Sequence, residues 1–199
     1  MISLYENKHI EVAAVQQPKP GNVHCGDAHV VVEEEDFTLC AVVDGLGSGE
    51  GASESAVAAI EVIKENRFLE VDEIVTRCNQ AMVNKRGAVL TLVKVDFQKE
   101  EVIYCNFGNI GFVMYEPDGT TLQPIPIRGY LSGRQVMIKS KRFSYKKGSI
   151  FMLYSDGVKI PFSKKNLLAI GSLKEEFKHL ITLDRFAVDD VTLLVGKLN

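Results

Sequence analysis

Apolar and polar positions along the chain follow two periodicities. Short apolar runs bounded by turn residues predict strands at residues 11–15, 28–32 and 37–43. The turn cluster Pro18-Lys19-Pro20-Gly21-Asn22 separates the first two. The acidic run Glu33-Glu34-Glu35-Asp36 separates the last two, and its diverging side chains suit a solvated hairpin connection. From Gly51 the spacing changes to three and four. Ala56, Ala59, Ile60 and Ile63, then Val71, Ile74, Val75, Cys78 and Met82, place one apolar stripe on each of two helices. Asp72 and Glu73 favour the start of the second, where negative charge meets the positive end of the helix dipole.

Strands then dominate, at residues 88–96, 101–107, 111–116, 136–143 and 149–155, with Pro117-Asp118-Gly119 as one of the turns. A helical pair over residues 163–183, interrupted by Gly171-Ser172, leads into a last strand at 191–195. Blocks of strands and helices without regular alternation predict an α+β fold of antiparallel sheets with helices packed on their faces. Neither a linker nor a repeat divides residues 1–199, so one domain is expected.

Composition narrows the function classes. With 46% hydrophobic and 25% charged residues over 199 positions, the chain can bury an ordinary globular core. A formal charge of -3 gives no general pull towards nucleic acid or an anionic membrane. Apolar runs stay well short of the roughly 20 residues of a membrane span. The start Met1-Ile2-Ser3-Leu4-Tyr5-Glu6 has no signal-peptide pattern, and a cytoplasmic location is expected. Cys25, Cys40, Cys78 and Cys105 are scattered and read as reduced thiols. His9, His24, His29 and His179 form no i, i+4 pair, which argues against a nitrogen–sulfur metal site.

The candidate chemistry lies in aspartates at strand ends. Asp27 follows Gly26, Asp44 ends Ala41-Val42-Val43-Asp44-Gly45, Asp156 ends Leu153-Tyr154-Ser155-Asp156-Gly157, and Asp189 opens Asp189-Asp190-Val191-Thr192. Convergent carboxylates repel one another unless protonated or neutralised, and an all-oxygen set suits magnesium, manganese or calcium. Asp-Gly is also a hairpin signal, so the turn reading stands beside the metal reading. Asp44-Gly45, however, precedes a glycine-rich turn into a helix instead of a second strand. That turn, Gly45-Leu46-Gly47-Ser48-Gly49-Glu50-Gly51, invites a dinucleotide reading. Glu50 falls where pyrophosphate should approach if the motif starts at Gly45, whereas a start at Gly47 ends acceptably on Ala52. Antiparallel neighbours weigh against either start, and no Gly-Lys-Ser/Thr follows for a phosphate loop.

In this order, the signposts resemble the metal-dependent protein phosphatases (PPM), in their small bacterial branch related to sporulation and stress-response enzymes. The resemblance rests on Gly26-Asp27, Val43-Asp44-Gly45-Leu46-Gly47-Ser48-Gly49, Thr91-Leu92, Cys105-Asn106-Phe107-Gly108-Asn109, Leu153-Tyr154-Ser155-Asp156-Gly157-Val158 and Asp189-Asp190-Val191-Thr192-Leu193-Leu194. It implies a sandwich of two antiparallel sheets flanked by helices, with two manganese or magnesium ions at one edge. Asp44 would bridge both ions, the Gly45 carbonyl would bind one, and Asp156 and Asp189 the other. Asp27 would hold metal-associated waters, and Asp190 would stand behind the ligands. Such ion pairs activate water towards phosphoserine or phosphothreonine and neutralise charge on the phosphoryl oxygens. The implied partners are phosphorylated stressosome proteins of the STAS-domain type, met by a monomeric enzyme that negatively regulates the general stress sigma-factor (sigma-B) pathway.

The pattern departs from the family in places. Ser48 and Leu46 stand where different branches carry His, so the general acid is unassigned. The upstream phosphate-binding Arg is missing, with Lys19 and His24 as nearby candidates, and any flap is short. A non-catalytic phosphatase-fold module that sequesters a phosphoprotein is therefore the alternative. Between Asp118 and Asp156 there is no acid, while Arg128, Arg134, Lys139, Lys141, Arg142, Lys146 and Lys147 supply seven cations. They read as a solvated strand face or as a surface that attracts an acidic phosphoprotein. Without interleaved aromatics, nucleic acid is not an expected partner.

Overall fold

The computed structural model describes residues 2–158, 163–180 and 189–199. In chain order the elements are β1 (Ile2–Glu6), β2 (Ile10–Gln17), β3 (Asp27–Glu33), β4 (Phe37–Gly45), α1 (Glu50–Glu65), α2 (Val71–Ala81), β5 (Ala88–Asp96), β6 (Glu101–Phe107), β7 (Gly111–Tyr115), β8 (Thr121–Leu122), β9 (Lys141–Ser144), β10 (Ile150–Tyr154), α3 (Lys164–Leu168), α4 (Leu173–Leu180) and β11 (Val191–Leu198). They form a six-stranded sheet in the order β1-β2-β11-β10-β7-β8 and a five-stranded sheet in the order β3-β4-β5-β6-β9. Every pairing is antiparallel.

The period of two along β4 explains the layering. Leu39, Ala41 and Val43 face α1 and α2. Cys40 and Val42 face the other way, into a core shared with Phe151, Leu153 and Leu194 of the six-stranded sheet. A strand covered on both faces must be apolar at both parities, hence its unbroken run. The other sheet repeats the arrangement, with Val15, Met152 and Val195 against Leu167, Leu173 and Phe177 of α3 and α4. The result is helix, sheet, sheet, helix. Phe151 in the middle is fully buried, and burial of such a side chain contributes about 1.5–3 kcal/mol.

One polar knot joins the sheets inside this apolar core. The Asn106 amide nitrogen donates to Thr91 Oγ1 at 2.9 Å and to the Ile110 carbonyl at 3.1 Å, and its Oδ1 accepts from the Ile127 amide at 2.9 Å. Thr91 Oγ1 also donates to the Ile110 carbonyl. These bonds satisfy a chain crossing between layers, where unpaired amides would be costly.

The predicted α+β sandwich is the observed architecture, with three local differences. Residues 2–6 form an edge strand, Ile2 opposite Val15, although their apolar alternation is weak. Thr121–Leu122 adds a two-residue strand closing the Pro117-Asp118-Gly119 turn. The expected strand at 136–143 shrinks to Lys141–Ser144, because Val136 and Ile138 pack on the helix-side core and the Ser140 amide is taken by Asp72 Oδ1 at 2.8 Å. Residues 181–183, the end of the expected helical pair, lie outside the described residues.

The acidic run is a hairpin connection, with the Glu34 amide on the Phe37 carbonyl and Arg67 paired to Glu34 at 2.6 Å. All four cysteines are free. Within the basic stretch, Arg142 pairs with Glu70 and Glu101, and Lys146 with Glu116 and Asp118. Among the described residues, no helix is long and apolar enough to cross a membrane.

Candidate functional site

Strand parity brings the aspartates together. Asp27 opens β3 directly opposite Asp44 near the end of β4. Asp44 shares the parity of Cys40 and Val42, and Asp27 that of Val31, so both belong to the face that looks towards the other sheet. From that sheet, Asp156 follows β10 and Asp189-Asp190 precede β11. Ser155 stitches these two strand ends: its amide donates to the Thr192 carbonyl and its Oγ accepts from the Thr192 amide, both at 2.9 Å. Asp27, Asp44, Asp156, Asp189 and Asp190 thereby line one cavity of about 190 Å³ with Leu46 and Gly47.

Two glycines are sterically required here. A Cβ on Gly45 would run into the Ala52 backbone at the start of α1, and one on Gly157 into the Asp190 carbonyl. Both Asp-Gly pairs therefore allow close approach of backbone beside the carboxylates. The glycine-rich turn leaves a strand with antiparallel neighbours on both sides, which removes the parallel crossover a dinucleotide loop needs.

Asp190 differs from the other four. Its Oδ1 accepts from the Lys19 amide at 2.8 Å and its Oδ2 from the Gly26 amide at 2.9 Å, so it clamps the β2–β3 loop. On that loop, the Lys19 ammonium lies 3.8 Å from Asp189, and His24 is exposed. Neither side chain lines the cavity.

Two further side chains at the site escaped the sequence reading. Asn109 Nδ2 donates to Asp156 Oδ2 at 2.7 Å. The Arg86 guanidinium lies across Gly47 and Gly51 and donates to the Ser48 carbonyl at 3.0 Å. Asn109 stood within a family signpost but carried no assigned role. If these carboxylates hold a divalent cation, Asn109→Ala should weaken its binding about tenfold, because groups that orient metal ligands are worth that much. A calorimetric titration of the protein with manganese checks it.

The electrostatics suit a cation. Asp44 is pushed up from 3.8 to about 7 by burial, with Asp27, Asp156, Asp190 and Asp189 adding repulsion. Burial also lifts Asp27 to about 6, against the nearby Ser155 and Thr192 hydroxyls and with help from Asp190 and Asp156. Among the described residues, no hydrogen bond reaches the buried Asp27 Oδ2. Among the described residues these donors form the walls of a cavity and not a closed cage of three or more ligands around one point. An all-oxygen donor set with excess negative charge and an orphaned carboxylate oxygen fits a hard divalent cation.

Comparison with known proteins shows the family. The family model for Stage II sporulation protein E (SpoIIE) matches residues 34–199. Phosphoserine phosphatase RsbX of Bacillus subtilis (strain 168) is 37% identical over 199 residues, covering 100% of both chains. The crystal structure of RsbX in complex with magnesium superimposes with a TM-score of 0.91 at 37% identity over 100% of each chain. A second solved chain, from work on the bacterial stressosome as a modular system adapted to control secondary messenger signalling, is 28% identical with a TM-score of 0.84. It covers 94% of this chain and 99% of its own. An ordered set of strand-end aspartates, a double antiparallel sandwich and full-length similarity lead to one conclusion: the chain belongs to the SpoIIE family of PPM-type protein phosphatases.

Proposed function

We propose that this chain is a cytoplasmic, manganese- or magnesium-dependent phosphoserine/phosphothreonine phosphatase acting on phosphorylated STAS-domain proteins of a stressosome. By removing those phosphates it acts as a negative regulator of the general stress sigma-factor (sigma-B) pathway. The observation that carries the reading is the cavity in which five aspartates from two sheets face one another. Full-length similarity to a phosphoserine phosphatase, and to a chain from stressosome work, supports the choice of substrate.

In this reading the whole chain is one catalytic domain and works as a monomer. Asp44 and the Gly45 carbonyl, with Asp156 and Asp189, would hold two ions, and Asp27 would hold their waters. When bound, the ions supply an activated water and neutralise the phosphoryl oxygens. The chain's own part is positional. Asn109 fixes the Asp156 carboxylate, Asp190 fixes the loop that carries Gly26, and Gly45 lets α1 close against the strand end. Phosphoryl transfer depends chiefly on such positioning and electrostatics.

The test is phosphate release from a serine-phosphorylated STAS-domain stressosome protein, with manganese and then with excess chelator. Release with manganese that stops on chelation is expected. A stable complex that leaves the phosphate in place would instead favour the sequestering module, a reading motivated by Leu46 and Ser48 where other branches have His.

A further inference from the structure

Between β8 and β9 the chain runs beside the site outside the sheet ladder, yet its backbone is pinned. The Ile127 amide donates to Asn106 Oδ1 at 2.9 Å and the Ile127 carbonyl accepts from the Gly108 amide at 2.8 Å. Leu131 bridges Ala88 through bonds in both directions, at 3.0 and 2.8 Å. Between and beside these pins, large side chains point to solvent: Ile125 is 82% exposed and Tyr130 47%. With Leu46, Val89, Asn109 and Arg128 they line a predominantly apolar groove of about 700 Å³. A second hollow of about 320 Å³ continues past Ile125 towards Gly111 and Tyr154.

This groove adjoins the carboxylate cavity. Leu46 belongs to the walls of both, and Asn109, in the groove wall, donates to Asp156. We infer that the strap at residues 123–131 is the docking groove for the polypeptide that flanks the phosphoserine, an inference that rests on the phosphatase reading above. Its occupant is an extended, acidic segment with a large apolar side chain close to the phosphoserine. The apolar half of that description follows from Ile125, Tyr130 and Leu46. The acidic half follows from Arg128, the one charged side chain among the described residues that line the groove, with no acid beside it in that lining. Exposed apolar side chains on a hydrogen-bonded backbone are preorganised, so little ordering entropy opposes docking.

The test compares a serine-phosphorylated STAS-domain protein with p-nitrophenyl phosphate, which has no polypeptide to dock. Ile125→Asp and Tyr130→Ala should each lower the ratio of kcat/KM for the protein to that for the aryl phosphate about tenfold, mainly through KM. Met137→Asp, at a site 77% exposed but outside the groove, should leave that ratio unchanged. A ratio unmoved by Ile125→Asp overturns the inference. So does a dimer in solution that Ile125→Asp converts to monomer, since a second copy would then own the groove. If the wild-type protein hydrolyses neither substrate, the phosphatase reading has failed by itself. The groove is then judged by binding of the phosphorylated protein, and equal affinity of wild type and Ile125→Asp overturns it.

Discussion

Asp44→Asn is expected to lower manganese-dependent phosphate release at least about 100-fold, more than loss of a group that only orients a ligand. Asp44 is the carboxylate most affected by the others: Asp27, Asp156, Asp190 and Asp189 all raise its pKa, with burial as the leading cause. A cation held by Asp44, as proposed above, would relieve these repulsions. Asparagine keeps the shape and one oxygen but removes the charge. The effect should appear in kcat on the phosphorylated protein and on p-nitrophenyl phosphate alike, which separates it from the groove variants. Activity retained within about tenfold on both substrates would remove Asp44 from the bridging role.

The same substitution should have the opposite effect on the metal-free protein. Folding raises Asp44 from 3.8 to about 7 and Asp27 from 3.8 to about 6. A carboxyl raised on folding binds its proton more tightly in the native state, so the native state holds more protons between those values. Its contribution is fully present below pH 4 and is lost as pH rises through the window from about 4 to 7. Chelated wild-type protein should therefore lose thermal stability relative to chelated Asp44→Asn across that window, until the variant melts roughly 5 °C higher at pH 8. Comparing the two proteins cancels titration elsewhere, such as that of Asp96 or Asp118. Excess magnesium or manganese should shrink or reverse the gap, because a cation that binds only the folded carboxylates stabilises wild type by mass action. Melting curves in chelator at pH 4, 6 and 8 decide it, and parallel curves for the two proteins would contradict the assigned coupling.

The strand and helix pattern was legible because most elements bury a whole face. The run at 37–43 is apolar at both parities because β4 is covered on both sides, and the stripes of α1 and α2 face a single sheet. Legibility faded where burial did. Strand β1 is only partly buried, and β8 is held by two pairs to β7. At residues 136–140, apolar side chains that read as a strand pack on the core while Asp72 holds the Ser140 amide. Strand-end position singled out Asp27, Asp44, Asp156 and Asp189, and the fold brings them to one cavity, whereas their roles at an ion came only with the family resemblance. Asn109 and Arg86 were not, because they meet Asp156 and the Ser48 carbonyl across 47 and 38 residues. Neither contact has a local spacing to betray it. The neighbours Asp189 and Asp190 look equivalent in the sequence, yet one is exposed at the cavity rim and the other buried on two backbone amides.

Asp27 and Asp44 hang from the five-stranded sheet, whereas Asp156, Asp189 and Asp190 hang from the six-stranded one. The cavity is therefore a vernier between two plates, and a slide of one against the other would misalign opposing carboxylates at once. Asp190 on the Gly26 amide and Asn109 on Asp156 are among the side-chain pins that hold its zero mark. An ion seated between the plates would be a rivet as well as a reagent, so the ability to react and the alignment of the whole sandwich are one mechanical property.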